Sequence, residues 1–237
     1  GASNYSLIPS QRSAILLLNR SILSSVAKVS GGEGIRIKPV GMHTKAEWTI
    51  QMSAIYSSLT RSNLTTAYLS NGTGGEFYTR ISSTAGIQVK NGRDGDDTWT
   101  QIPLQAGKWL HITYVHKDKK TTVYVNGKVQ KVFENSAITF GENSMIVVGN
   151  SGYRNDYLRE IRLWDKALTE SEINDYLYLP MDPATPHLIS YLPLSKKMET
   201  KDLKAPAGTE NVTTKARIEY VENVKFPADE LVIVNQE

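Results

Sequence analysis

Trp109-Leu-His-Ile-Thr-Tyr-Val-His-Lys117, then Asp118-Lys-Lys120, then Thr121-Thr-Val-Tyr-Val125-Asn-Gly-Lys128 is the stretch that decides the fold. Leu110, Ile112 and Tyr114 alternate with Trp109, His111, Thr113 and Val115, so each set takes one face of an extended strand. The charged run Lys117–Lys120 makes a solvated tip, and Thr121–Val125 returns alongside the first strand. Asn126-Gly127 tolerates the positive φ that a type I′ turn demands, and it sends the chain back once more through Lys128–Phe133. Three strands meeting through local turns in so short a stretch are the mark of an antiparallel β protein.

The same texture extends in both directions. Trp48–Tyr56, Glu76–Ile81 and Gly86–Lys90 alternate as strands, and Asn71-Gly72 and Asn91-Gly92 fall where hairpin turns belong. Ile189–Leu192 and Ala216–Val221 read as later strands, with an apolar end at Leu231–Val234, while Ile15–Leu18 fits a strand or a helix equally. One short helix is expected near 170–178. Thr169-Glu-Ser-Glu172 is a capping box, Ile173, Tyr176 and Leu177 form its apolar stripe, and Pro180 stops it. No repeat of fixed period is present. Beyond Pro180 the chain becomes proline-punctuated and lysine-rich, yet a separate domain of about 45 residues without cysteine or metal would be marginal. Residues 1–237 are therefore read as one sandwich domain, with 195–237 a C-terminal extension packing on it.

Composition removes several function classes. Hydrophobic residues at 40% and charged residues at 22% are ordinary globular values, which excludes collagen, coiled coil and wholesale disorder. The longest apolar run, Ala14–Leu18, falls far short of the roughly 20 residues that span a bilayer. The net charge of +3 is unclustered except at Lys117–Lys120, so no basic stripe points to nucleic acid. With no cysteine in the chain, disulfides, cysteine nucleophiles, thiolate zinc sites and iron–sulfur clusters are all excluded.

Two motifs in order resemble those of the laminin-G-like, concanavalin A-like lectin/glucanase superfamily. Gly107–Val115 with Thr122-Val-Tyr-Val-Asn-Gly-Lys128 resembles its Trp-x-His strand and the hairpin that follows. Val148-Gly-Asn150 with Leu158-Arg-Glu-Ile-Arg-Leu-Trp-Asp-Lys-Ala-Leu168 resembles its late strand leading into a helix, and Leu188–Leu194 resembles its return strand. The resemblance implies an all-β fold of two antiparallel sheets in a jelly roll, with a sugar or calcium site at the concave face or its rim. The relatives it suggests are domains of surface lipoproteins in glycan-degrading gut bacteria. It therefore implies an exported protein at the extracellular face or in the periplasm, lipid-anchored in full length. Arg159 stands where the family usually has an aspartate that sometimes ligates calcium, and Asn126 replaces the commoner aspartate of the hairpin turn.

Hydrolases of this superfamily carry Glu-x-Asp-x-Glu on one strand, where alternation brings two carboxylates to the roughly 5 Å that a retaining glycosidase needs. This chain has no such pattern. Asp94-Gly-Asp-Asp97 and Glu170-Ser-Glu172 read as a turn and a helix start, so no enzyme activity and no required cofactor are expected. His43, His111, His116 and His187 are scattered without metal-ligand spacing, and His111 reads as a structural, hydrogen-bonding histidine. Asp94, Asp96 and Asp97 offer the oxygen-rich set that calcium takes, against the competing reading of a solvated hairpin loop.

Sugar recognition needs an aromatic face and orienting polar groups. Trp99 fits either packing or ligand contact. Tyr153, Arg154, Asn155, Asp156 and Tyr157 place two rings and three polar side chains in one loop-like stretch, against the competing reading of a structural loop, whereas Trp48, Trp109 and Trp164 sit within strands and read as packing. The function expected is a non-catalytic carbohydrate-binding or adhesion module of a bacterial cell-surface protein, its partner a glycan or a surface protein. A scaffold domain without a sugar site is the alternative, and a glycoside hydrolase with relocated carboxylates a remote one.

Overall fold

The computed structural model describes residues 3–5, 25–41, 46–61, 65–70, 77–91, 98–134, 143–149, 152–227 and 231–233. Its strands are β1 (Ser3–Tyr5), β2 (Val26–Ser30), β3 (Ile35–Ile37), β4 (Trp48–Ile55), β5 (Thr65–Ser70), β6 (Phe77–Ser82), β7 (Gly86–Asn91), β8 (Leu110–Lys117), β9 (Lys120–Val125) and β10 (Lys128–Phe133). There follow β11 (Met145–Val148), β12 (Asp156–Trp164), helix α1 (Glu170–Asp175), β13 (Leu188–Leu192), β14 (Val212–Thr214), β15 (Arg217–Val221) and β16 (Leu231–Ile233). An eight-stranded sheet runs β10-β9-β8-β4-β12-β2-β15 with β13 also on β12, and a six-stranded sheet runs β14-β3-β11-β5-β6-β7. Both sheets are antiparallel; among the described residues, only β1 and β16 form a separate parallel pair.

The β8–β10 meander forms as its turn chemistry dictates. Lys117 pairs with Lys120, so Asp118 and Lys119 alone make the first turn, at φ 52° and 60°. Asn126 and Gly127 make the second, at φ 51° and 78°. Positive φ at both central residues is the type I′ geometry whose twist matches the flanking strands. A β-carbon on Gly127 would lie 2.2 Å from Asn174 Oδ1, and Asn174 Nδ2 donates to the Gly127 carbonyl. The turn thus docks on α1. The helix begins at the expected capping box: Thr169 Oγ1 accepts from Glu172 N, and Glu172 Oε1 accepts from Thr169 N. It ends at Asp175, well short of Pro180.

The core lies between the sheets. Ile50, Met52, Ile112, Tyr114, Val123, Leu158, Ile161 and Leu163 of the larger sheet meet Ile35, Ile37, Leu69, Phe77, Ile87, Val89, Ile146 and Val148 of the smaller. Burial at about 25 cal/mol per Å² of apolar surface drives this association. C-terminal residues contribute to both layers, since β14 pairs with β3 and β15 with β2. The Ile15–Leu18 stretch and the Asn71-Gly72 turn lie outside the described residues. So does Gly92, while Asn91 is the last residue of β7 and β6 turns into β7 through Ser83–Ala85.

Alternation alone would leave the opposite face of the larger sheet wet, yet much of it is buried. Val115, Trp164, Leu168, Ile173, Met181, Leu188 and Tyr191 form a second apolar cluster between that face and the α1 region. The cause lies in β12. Arg159 and Glu160 both leave the core face, Glu160 sits at φ 57°, and the register with β4 shifts between Arg159 and Arg162. This is a β-bulge, one extra residue that re-aims side chains. Before it β12 pairs with β2, and after it with β13.

The bulge carries three buried charges. Glu160 accepts from the Tyr191 hydroxyl at 2.8 and 3.0 Å and from Arg162 Nη2 at 3.2 Å, with Arg159 Nη2 3.6 Å from its other oxygen. Arg162 also donates to the carbonyls of Tyr176 and Leu179, which places a cation at the carboxyl end of α1. Arg159 donates to the carbonyls of Ser25 and Pro193 and lies over the Phe226 ring at 4.5 Å. Removing one member of a buried ion pair leaves an uncompensated charge, which costs about 3–5 kcal/mol. Glu160→Ala is expected to lower unfolding free energy by about that much in urea titration, whereas Lys128→Ala at the exposed start of β10 stays within about 0.5 kcal/mol of the parent.

Candidate functional site

The outer face of the eight-stranded sheet is covered at one end by α1 and the segment after it. Across its middle lies Phe226, which takes Trp109 and Tyr178 edge-on at 4.9 and 5.9 Å. Trp109 Nε1 donates to the Lys225 carbonyl and holds this strap in place. What stays open is the end where β12, β2 and β15 lie side by side.

Pairing register sets two rows of side chains there. Tyr157 opposes Lys28 and Lys28 opposes Glu219, which makes the first row. Arg217 opposes Ser30 in the second. Asn155 completes it, because Asn155 N donates to Ser30 Oγ and Ser30 Oγ donates to Asn155 Oδ1, both at 2.8 Å. Asn155 adopts φ 54°, a left-handed conformation that asparagine accepts more readily than most residues. Its Oδ1 is thereby committed, and among the described residues its side-chain amide N–H groups have no partner. Lys28, Ser30, Asn155, Arg217, Ile218 and Glu219 line an open groove of about 480 Å³, within the range of small-ligand sites. Among the described residues, no hydrogen bond or ion pair engages the side chains of Lys28, Arg217 or Glu219.

The sequence-derived site residues divide accordingly. Arg154 and Asn155 are exposed and Tyr157 half-buried, all at this end. Tyr153 and Asp156, expected to face a ligand, are instead fully buried. The Tyr153 hydroxyl lies 3.0 Å from that of Tyr56, and burial pushes its pKa up. Asp156 accepts from Arg61 at 2.9 and 3.0 Å and from Ser57 N and Arg154 N at 2.8 Å. It is the tie that shapes this loop. Trp99 is half-buried and bridges Gln88 on β7, while its carbonyl accepts from Lys131 of β10. Four strand spacings separate β10 from β12, about 19 Å, so Trp99 and Tyr157 do not share a surface. Asp94, Asp96 and Asp97, the calcium candidates, lie outside the described residues.

Lys28, Ser30, Arg217 and Glu219 were not singled out from the sequence. The signal existed as alternation: Ala27 and Val29 against Lys28 and Ser30, and Ile218 and Tyr220 against Arg217 and Glu219. Nothing local shows that residues so far apart in the chain adjoin. A larger recess of about 700 Å³ is bounded by residues 198–212 alone. It has no aromatic lining, and its Asp202 is committed to Tyr191 N, Lys204 N and Asn211 Nδ2.

Residues 30–174 match the family described as the concanavalin A-like lectin/glucanases superfamily, which is more than half of the chain. The chain belongs to this superfamily, in its laminin-G-like branch. Among solved structures it is similar to a protein from Bacteroides ovatus described as a "putative carbohydrate binding protein", at 17% identity and TM-score 0.62 over 84% of this chain and 60% of that one. It thus spans about three-fifths of that relative. A heptameric SAP-like pentraxin from Limulus polyphemus aligns at 14% identity and TM-score 0.55, over 83% of this chain and 95% of that one. At such identities the likeness is one of fold. No curated protein matches the chain. No helix among the described residues is long and apolar enough to cross a membrane.

His111, expected to act through hydrogen bonds, is buried with its Nδ1 unpartnered among the described residues, and it packs edge-on against Tyr178 at 5.6 Å. The ordering bond is the backbone one, from His111 N to Asn126 Oδ1. Burial, with a smaller repulsion from Arg162, lowers the imidazole pKa from 6.5 to about 3. Between those values the unfolded chain binds a proton that the folded one refuses, so stability falls as pH drops from about 6.5 toward 3. The slope is at most about 1.4 kcal/mol per pH unit. Urea titrations across this range are expected to show that loss, and His111→Phe to show a shallower one.

Proposed function

We propose that this chain is a non-catalytic carbohydrate-binding module that engages saccharide on the open end of the larger sheet. The observation that carries the reading is the cross-strand row of Tyr157, Lys28 and Glu219 beside Asn155, Ser30 and Arg217. It sets a partly buried ring, packed on one side against the Val26 and Phe226 cluster, beside donors and an acceptor that are uncommitted among the described residues, on a rigid sheet. A pyranose offers an apolar face to the ring and hydroxyls to the polar groups. Superfamily membership and the carbohydrate binding ascribed to the Bacteroides ovatus relative support the same ligand class.

The absence of catalysis is part of the proposal. Glu219 is the groove's only lining carboxylate among the described residues, and Glu160 on the same face is sealed between two arginines and Tyr191. A pair of positioned carboxyl groups, which glycoside hydrolysis uses, has no counterpart there. The proposal also takes the chain as one sandwich unit, supported by the pairing of β14 and β15 with different sheets. It places the module outside the cytoplasm, at the surface of a bacterium or in its periplasm within a lipid-anchored protein, where polysaccharide is met.

A glycan array followed by titration calorimetry tests the reading. Tyr157→Ala is expected to weaken binding about tenfold, equivalent to about 1.4 kcal/mol, while Trp99→Ala leaves it unchanged. No reducing sugar should appear on incubation with the bound polysaccharide. Silence across the array would favour a scaffold role, and sugar release abolished by Glu219→Gln would establish a hydrolase.

A further inference from the structure

We propose that the groove selects acidic saccharides, taking a carboxylate or sulfate between Lys28 and Arg217; this rests on the carbohydrate-binding reading above and goes beyond it. Lys28 lies directly opposite Glu219, and Arg217 opposite Ser30, so Lys28 and Arg217 are diagonal neighbours on adjacent strands, with backbones about 7–8 Å apart. Their long side chains can converge on one anionic group over Ser30. Both are uncommitted among the described residues, although Lys28 is half-buried.

Glu219 is the natural partner for either cation, yet among the described residues it forms no ion pair within 4.0 Å. The lining groups thus carry two positive charges and one negative. Arg217 supplies the planar fork that matches a carboxylate or sulfate bidentately, and Lys28 supplies a point charge. The Asn155 amide, uncommitted among the described residues, then meets the sugar that carries the anion, and Tyr157, opposite Lys28 at the edge of the groove, offers it the part of its ring that the Phe226 cluster leaves open. Without that ring and amide, two cations would hold any polyanion. With them, the groove fits an anion borne on a pyranose.

Titration calorimetry of the intact chain with polygalacturonate, its carboxyl-reduced derivative and chondroitin sulfate decides the matter. The acidic forms are expected to bind at least tenfold tighter than the reduced one, and chondroitin sulfate against unsulfated chondroitin, which share sugars and carboxylate, reports what the sulfate adds. Arg217→Ala and Lys28→Ala should each remove most of that preference with unchanged thermal melting, and raising salt from 50 to 500 mM should weaken acidic binding several-fold. Glu219→Gln should tighten acidic binding, a gain that no merely structural role predicts. Equal affinity for acidic and reduced polymers, with Tyr157→Ala still harmful, would overturn the acidic selectivity and leave the carbohydrate reading standing. No saccharide binding at all would overturn both. Single-stranded DNA bound as tightly as polygalacturonate would overturn the assignment to saccharide.

Discussion

The carboxylate of Glu160, buried between Arg159 and Arg162, is the interaction on which the rest of the larger sheet depends. Ions brought into a protein interior lose several kcal/mol of hydration each, recovered only where geometry and hydrogen bonding are good. Here the recovery is distributed. Tyr191 donates to Glu160, Arg162 takes the carbonyls beyond α1, and Arg159 takes those of Ser25 and Pro193. Each contact belongs to a different segment, so the charges locate the cap, β13 and the entry to β2 relative to one another. The left-handed backbone at Glu160 costs roughly 1–2 kcal/mol in a residue with a β-carbon, and this network offsets it.

That constraint decides where the molecule can be wet. The bulge turns β12 from β2 to β13, and the chain between β12 and β13 folds over the sheet as α1 and its cap. Phe226 seals the centre. The groove is what these coverings leave, a part of one face where polar side chains of three strands stay open to a ligand.

The sequence disclosed what is local. The β8–β10 meander followed from alternation and from Asn126-Gly127, and α1 from Thr169 and Glu172, because the partners in each lie a few residues apart. The bulge was not legible, since Arg159-Glu160 in a strand looks like a departure from alternation and nothing nearby announces the carbonyls of Pro193 or Tyr176. The candidate site was legible in part. Arg154, Asn155 and Tyr157 fall at the open end, but Tyr153 and Asp156 were misjudged because a tyrosine and an aspartate in a polar loop give no sign of the buried Tyr56 and Arg61 that receive them. Lys28, Arg217 and Glu219 escaped because only strand register makes them neighbours.

The groove joins side chains more than a hundred residues apart in the chain, as the Ser30 to Asn155 bond shows. Loop closure of that length is slow compared with closing the β8–β10 turns. The proposed groove is therefore expected to form late on the folding path, after the β8–β10 meander, and a chain caught midway would carry the meander without the groove.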